Sequence, residues 1–446
     1  MPKYEFPKDF KWGTATASYQ IEGAVTQDGR SESIWDRFCQ MPGRILHGDT
    51  GKVANDHYNR YKEDVALMKE LGHTAYRFSV SWSRVLPDGV GEVNEKGLQF
   101  YSNLVDELLA AGIEPFITIY HWDLPQILQD KGGWQNPDCV KWFEQYSKVL
   151  FEKLGDRVKY WCTLNEPFCV AFVGNLYGEH APGIRDLGTS ILVSYNLMLA
   201  HAAAVRLFRK MNLSGEIGIT LNFTPPYPCS DSEEDKLAAR YNDGFAVRWF
   251  VDAIFKGSFP QDILQIFKDR GITLPDFSEL ASVTEKIDFL GINYYSPTWQ
   301  RYNKNSWPFY SDSVRKDIPH TDREWPIHAE TLTKLLVRLK DEYNAPKMYI
   351  TENGCSYNDV INEDGEVADF SRINYLSRHF KAVHNAISQG VDIRGYMVWS
   401  LYDNFEWAFG RYSRFGIIYH DFETLKRIPK QSAYWMRDVI KNGGLD

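Results

Sequence analysis

The sequence predicts an α/β protein, a single (β/α)8 TIM barrel whose extended βα loops build a deep pocket. Three observations predict it. A unit recurs along the chain: an amphipathic helix, a glycine, a short apolar strand, then a polar or aromatic cluster. Eight strands of this kind can be counted. The 446 residues contain no low-complexity tract and no linker that would divide them, so residues 1–446 read as one domain. A bare barrel needs about 250 residues, and loop insertions can take it beyond about 400. A doubly wound open sheet has the same alternation and remains the alternative at this level.

The first strand is expected near residues 10–19. The first helix then places Tyr58, Tyr61, Val65, Met68 and Leu71 on one face and stops at Gly72. Residues 75–82 follow as the second strand. The next helix carries Leu98, Tyr101, Val105, Leu108 and Leu109, ends at Gly112, and precedes the third strand at 115–122. The third helix carries Val140, Phe143, Leu150 and Leu154, ends at Gly155, and precedes the fourth strand at 160–166. A stripe of period 3.6 closed by glycine is the signature of an amphipathic helix. Residues 217–222, 289–295, 348–352 and 396–400 complete the strands. Short apolar runs between such helices imply parallel strands buried on both faces. The surplus length falls mainly after strands one, four, six and eight, in βα loops. Barrel enzymes keep their chemistry on that face.

The chain is 43% hydrophobic and 24% charged, ordinary for a soluble globular protein. Fifty Lys and Arg against 59 Asp and Glu leave a net charge of −9, with no basic stripe. Nucleic acid is therefore not an expected partner. No run of about 18 apolar residues suggests a membrane span. The start, Met1-Pro2-Lys3-Tyr4-Glu5-Phe6, has no apolar segment of the signal-peptide kind. Cys39, Cys139, Cys162, Cys169, Cys229 and Cys355 form no C-x-x-C pair and read as reduced thiols in a cytoplasmic protein. The sequons at Asn212 and Asn222 read as chance matches. Monomer and homo-oligomer both stay open.

Polar and aromatic side chains gather where strands end: Gln20, Arg77, His121-Trp122, Asn165-Glu166, Asn222, Asn293, Tyr295, Glu352-Asn353 and Trp399. Packing does not call for so many at one rim. They predict a polar cavity with aromatic walls and two carboxylates, Glu166 and Glu352. Either glutamate alone could be a salt bridge or a helix cap. Together they suit acetal hydrolysis, in which one carboxyl protonates the leaving oxygen and the other, ionised, stands behind the oxocarbenium-like carbon. Aromatic residues make up 15% of the chain; most belong to a core, and some could stack on a sugar. His121 has no second histidine at ligand spacing, so it reads as a neutral hydrogen-bonding imidazole and no metal is expected. No P-loop or G-x-G-x-x-G stretch calls for a nucleotide cofactor, and none of any kind is expected.

Four segments carry a resemblance. Thr163-Leu164-Asn165-Glu166-Pro167 and Ile350-Thr351-Glu352-Asn353-Gly354 resemble the two signature motifs of glycoside hydrolase family 1. Phe10 to Gly23, reading FKWGTATASYQIEG, resembles its N-terminal signature, and Trp399 to Trp407, reading WSLYDNFEW, its sugar-binding segment. The resemblance runs from about Tyr4 to about Trp435, and the family's fold is the (β/α)8 barrel.

It implies a retaining, exo-acting β-glucosidase. Glu352 would be the nucleophile and Glu166 the acid and then the base. Arg77 and Tyr295 would hold Glu352, Asn293 would support the same region, and Asn165 would contact the sugar 2-hydroxyl. Gln20, His121, Trp122, Trp399, Glu406 and Trp407 would bind the sugar, and Trp325 and Asn222 would line the aglycone side. Glu406 implies an unphosphorylated glycone, glucose first, with galactose or fucose tolerated. Glu166 stands where the family's myrosinases have Gln, which argues against that activity. Phe168 stands where many members carry Trp, with Val173 on the same loop. The implied partners are small β-glycosides such as cellobiose, short oligosaccharides and aryl glucosides. Transfer to an alcohol in place of water, and a non-catalytic sugar receptor, are the competing readings; the presence of both glutamates argues against the second.

Overall fold

The computed structural model describes residues 2–446. Eight parallel strands close into a barrel: Lys11–Ala15, Ala75–Ser79, Glu114–Tyr120, Tyr160–Asn165, Glu216–Phe223, Phe289–Tyr294, Lys347–Asn353 and Ile393–Trp399. They pair in chain order, and the eighth returns to the first with Tyr396 opposite Trp12. This closure excludes the open sheet. The second and sixth strands are buried at every position, as expected for strands with side chains inside and helices outside. Phe116 of the third strand meets Tyr349 of the seventh across the interior, ring centroids 5.2 Å apart, so the barrel is packed rather than hollow.

The outer helices are His57–Glu70, Glu95–Ala110, Cys139–Leu154, Leu187–Lys210, Trp249–Lys256, Glu330–Tyr343, Phe370–Ser388 and Gln431–Asn442. Val65, Met68, Leu108, Phe143, Leu150 and Leu154 are buried as their stripes predict. Leu109 is not: it is 37% exposed, because one residue past Leu108 the helix has turned about 100° away from the core. Leu187–Lys210 is long and apolar enough to cross a membrane by length and composition, although polar residues interrupt its apolar run. It is the fourth barrel helix, and 83% of its apolar window is buried inside the protein.

Three expectations need correction. The first strand ends at Ala15, and Ser18–Ile21 makes one helical turn. Tertiary bonds impose that turn: the Ser18 N–H donates to Ser79 Oγ at 2.7 Å, and its hydroxyl donates to Asp123 Oδ2 at 2.8 Å. The second strand stops at Ser79, and Trp82–Val85 is helical. An insertion also follows strand five. Its short strand Pro226–Pro228 pairs with Thr298–Tyr302 from the loop after strand six, which pairs in turn with Ser311–Ser313. The two prolines hid that strand, since proline lowers any strand reading.

Glycine matters once for the site. A Cβ on Gly354 would lie 1.7 Å from the Trp399 carbonyl oxygen. Only glycine lets the end of strand seven, bearing Glu352, lie against the end of strand eight.

Candidate active site

The site is a cavity of about 610 Å³ at the C-terminal ends of the strands. Arg77 is its buried hub. From the second strand it donates through Nη1 to Glu352 Oε1 at 2.6 Å, through Nη2 to Asn165 Oδ1 at 2.6 Å and through Nε to Thr118 Oγ1 at 3.0 Å. Tyr295 donates its hydroxyl to the other Glu352 oxygen at 2.7 Å. Glu352 therefore has a guanidinium on one oxygen and a phenol on the other, which fixes its plane.

Glu166 lies in a different setting. Asn293 Nδ2 donates to Glu166 Oε1 at 2.6 Å, and the Cys169 thiol donates to Oε2 at 3.1 Å. Thr351 donates to Asn293 Oδ1 at 2.8 Å, which fixes the amide's orientation. An amide N–H can only donate, so Oε1 must accept, whereas the thiol can turn and accept, which leaves Oε2 as the place for a proton on Glu166. Burial, then the charge on Glu352, push Glu166 up to about 8. It is held as an acid at neutral pH while Glu352 keeps its ion pair with Arg77.

Backbone strain aims three of the pocket residues. Glu166, Trp122 and Trp407 have φ of 46°, 77° and 49°, left-handed values that non-glycine residues rarely adopt. As Glu166 turns off strand four its N–H still bonds to Thr220 O of strand five at 3.0 Å. Trp122 donates its indole N–H to Asn165 O at 2.9 Å.

The polar floor lies beside the two acids. Gln20 donates to Phe405 O at 2.9 Å, Asn404 Oδ1 at 3.1 Å and Glu406 Oε2 at 3.3 Å, and its own buried oxygen has no protein partner among the described residues. Asn165 Nδ2 lies 2.9 Å from His121 Nε2. That makes Nε2 the acceptor and places the ring proton on Nδ1, which is buried and has no protein partner among the described residues. Burial, then the Arg77 charge, push the His121 pKa down, so the ring is neutral. Glu406 is pushed up to about 7 by burial, with the Arg323 charge pulling it the other way. Trp407 packs on Trp122 at 4.7 Å and on Trp35 at 4.4 Å, and Trp399 lies parallel to His121 at 6.0 Å. Gln20 Oε1, His121 Nδ1 and Glu406 offer acceptors and a donor beside flat aromatic faces, which is what a polyhydroxyl ring requires.

Trp325 and Asn222 line the mouth with Val173. The structure thus brings the sequence-predicted catalytic and sugar-binding residues to one region; Asn353 does not line the cavity, its Nδ2 donating to Tyr294 O at 2.6 Å and to Tyr375 Oη at 3.0 Å. Asn293 lies opposite Glu352 in the strand register, and its amide donates to Glu166. The Asn165 oxygen is taken up by Arg77 and by Asn293 at 3.1 Å, leaving only an Nδ2 hydrogen for a sugar hydroxyl. Phe168 packs against Phe172 and Phe245, at 5.0 and 5.1 Å, rather than on the cavity wall. Sequence reasoning missed Cys169, Arg323, Phe409 and Phe415, all of which line the cavity. Cys169 was within reach, since a residue three after Glu166 shares its face of a helical turn. Among the described residues no three His, Cys, Asp or Glu side chains gather as metal ligands.

The family model for Glycosyl hydrolase family 1 matches residues 2–445. Beta-glucosidase A of Acetivibrio thermocellus is 48% identical to this chain, covering 100% of both. A 6-phospho-beta-galactosidase of Clostridium acetobutylicum is 40% identical, covering 97% of this chain and 96% of that one. The solved family 1 b-glucosidase from Thermotoga maritima superposes with a TM-score of 0.97 at 49% identity, covering 99% of this chain and 100% of that chain. The Thermotoga maritima protein has also been solved in complex with deoxynojirimycin.

Proposed function

The chain belongs to glycosyl hydrolase family 1, and from that membership and the site's geometry we propose that it is a retaining, exo-acting β-glucosidase. One observation carries the reading: two buried carboxyls share one hydrogen-bond network in opposite electrostatic settings. Glu352 is paired with Arg77, and Glu166 is pushed up to about 8 by burial and by the Glu352 charge. Such a pair assigns nucleophile and acid by environment alone.

In the first step a Glu352 oxygen attacks the anomeric carbon while Glu166 gives the proton on Oε2 to the glycosidic oxygen. The C–O bond breaks, the aglycone leaves as its alcohol, and a glycosyl ester forms on Glu352. In the second step Glu166 takes a proton from water, the water oxygen attacks the anomeric carbon, and Glu352 is released. Two inversions give net retention. Arg77 and Tyr295 orient the nucleophile, and Asn293 orients the acid. Gln20, His121, Asn165, Trp122, Trp399, Glu406 and Trp407 hold the sugar, and Trp325 and Asn222 meet the aglycone.

A carboxylate at Glu406 beside the sugar 6-position favours an unphosphorylated glycone, glucose first with galactose and fucose tolerated. Cellobiose, short oligosaccharides and aryl glucosides fit a pocket of this size. Six unpaired thiols support a reducing, cytoplasmic setting. A set of nitrophenyl β-glycosides, with the product anomer followed by NMR, tests the reading. β-Glucose should be the first product from the glucoside; α-glucose would refute retention, and no turnover of any β-glycoside would refute the activity.

A further inference from the structure

Arg323 is a pocket cation without an ion-pair partner. It lines the catalytic cavity. Its guanidinium lies 3.1 Å from the ring centroid of Phe409 and 5.5 Å from that of Trp325, so two aromatic faces hold its plane. A guanidinium has five N–H donors. Here Nη1 makes one long bond to Ser413 Oγ at 3.4 Å, and the buried Nε meets no protein acceptor among the described residues. Among those residues no carboxylate pairs with it, whereas the nearby Arg315 pairs with Glu324 at 2.9 Å. Lys316 lines the same wall and spends its ammonium on Cys229, at 3.2 Å from its carbonyl oxygen and 4.0 Å from its sulfur.

The loop is built to present this side chain. Glu324, the next residue, has φ of 57°, and the Thr321 N–H closes the turn onto Trp325 O at 2.9 Å. The turn sends Arg323 and Trp325 to the same cavity. A half-buried cation stacked on a ring has lost water without gaining a counter-ion, and that arrangement is costly. Its pKa is lowered by burial, with the Glu406 charge opposing. A sugar that engaged Glu406 on the floor would leave Arg323 with unspent donors.

We propose that Arg323 forms an anion subsite at the mouth of the sugar pocket, taking a carboxylate or phosphate carried by a β-glucoside. The proposal rests on the β-glucosidase reading and names a substrate class within it. A planar guanidinium fork recognises such anions through paired, charge-assisted hydrogen bonds. Because Arg323 shares its turn with Trp325 on the aglycone wall, the anion belongs on the aglycone; a phosphate on the glycone 6-oxygen is the other source.

The test compares wild type with Arg323→Met and Arg323→Gln on two matched substrate pairs. One pair is 3-carboxyphenyl and 3-carbamoylphenyl β-D-glucoside, which differ in charge at one position. The other is 4-nitrophenyl β-D-glucoside with and without a 6-phosphate. The readout is the kcat/KM ratio, charged over uncharged, in wild type relative to variant, which cancels differences in leaving group. Arg323→Met should lower the carboxyphenyl ratio by about tenfold or more, the scale of one charge-assisted contact. Arg323→Gln carries the same test should the methionine variant fail to fold. A fall in the 6-phosphate ratio instead supports the subsite and places the anion on the glycone. Ratios unchanged within about twofold in both pairs, with turnover of the uncharged glucosides retained, overturn the proposal alone. If wild type turns over no uncharged glucoside, the β-glucosidase reading fails and the subsite falls with it.

Discussion

The proposed two-step reaction asks Glu166 to be an acid and then a base, and its surroundings set how far its affinity for a proton should move. In the free protein burial and the Glu352 charge hold it at about 8. Forming the glycosyl ester replaces the Glu352 charge with a neutral group. Two charges about 5.5 Å apart, the spacing that retention requires, interact by about 3 kcal/mol at an effective dielectric of about 20, or about 2 pH units. The remaining influences besides burial are the Asn293 amide, the Cys169 thiol and the Arg77 charge, and all three favour the anion. Glu166 in the glycosyl-enzyme should therefore titrate about 2 pH units lower than in the free protein. The perturbation is trapping with a 2-deoxy-2-fluoroglucoside. The assay is a 13C NMR titration of side-chain-labelled glutamates, with Glu166→Gln assigning the resonance. In the free protein the same ionisation should appear as the alkaline limb of kcat/KM, near 8, since the acid must be protonated. A Glu166 resonance that titrates within about 0.5 pH units in both states would refute the reasoning, because the Glu352 charge would then not be what holds the proton.

Two further outcomes follow from the same geometry. Glu352→Gly should abolish turnover, and azide should restore it with α-glycosyl azide as product, read by NMR; near-normal activity without azide would remove Glu352 as nucleophile. Glu166→Gln should stabilise the fold in a pH-dependent way. The folded protein holds this proton to about 8 against an ordinary 4.5, so unfolding releases it between those values and stability falls as pH rises through that window. The substitution removes that loss, so its melting temperature should exceed wild type by a few degrees at pH 8, with the gap closing by pH 4.5. A gap that does not grow with pH would mean that burial of Glu166 is not a cost to the fold.

Much of the site was legible because parallel barrel strands put their last residues on one rim, and strand endings can be read from periodicity. Glu166, Glu352, Arg77 and Tyr295 meet as expected for that reason. Which neighbour a rim side chain bonds depends on barrel closure: Asn293 lies opposite Glu352 in the strand register, yet its Nδ2 donates to Glu166 at 2.6 Å. Periodicity also extended the first strand to residue 19. Only the contacts of Ser18 with Ser79 and Asp123, residues far along the chain, turn that segment into a helix. Arg323 was out of reach altogether. It sits in a long irregular loop, and its meaning comes from Phe409, which lies 86 positions away in another βα loop and under its guanidinium at 3.1 Å.

The network also explains why this chemistry needs a closed barrel. Arg77 ties strand two to strands three, four and seven through Thr118, Asn165 and Glu352. Asn293 of strand six accepts from Thr351 of strand seven and donates to Asn165 and Glu166 at the end of strand four. Two buried carboxyls of like charge would move apart or both protonate in a yielding frame. Here neither can withdraw without breaking bonds to several strands, and the strands cannot separate without opening the ring that buries their side chains. The hydrophobic closure, with Phe116 against Tyr349 beneath the site, supplies the rigidity. The raised proton affinity of Glu166 is thus a property of the whole barrel, set by burial and by the Glu352 charge held beside it, against the opposing pull of the Asn293 amide.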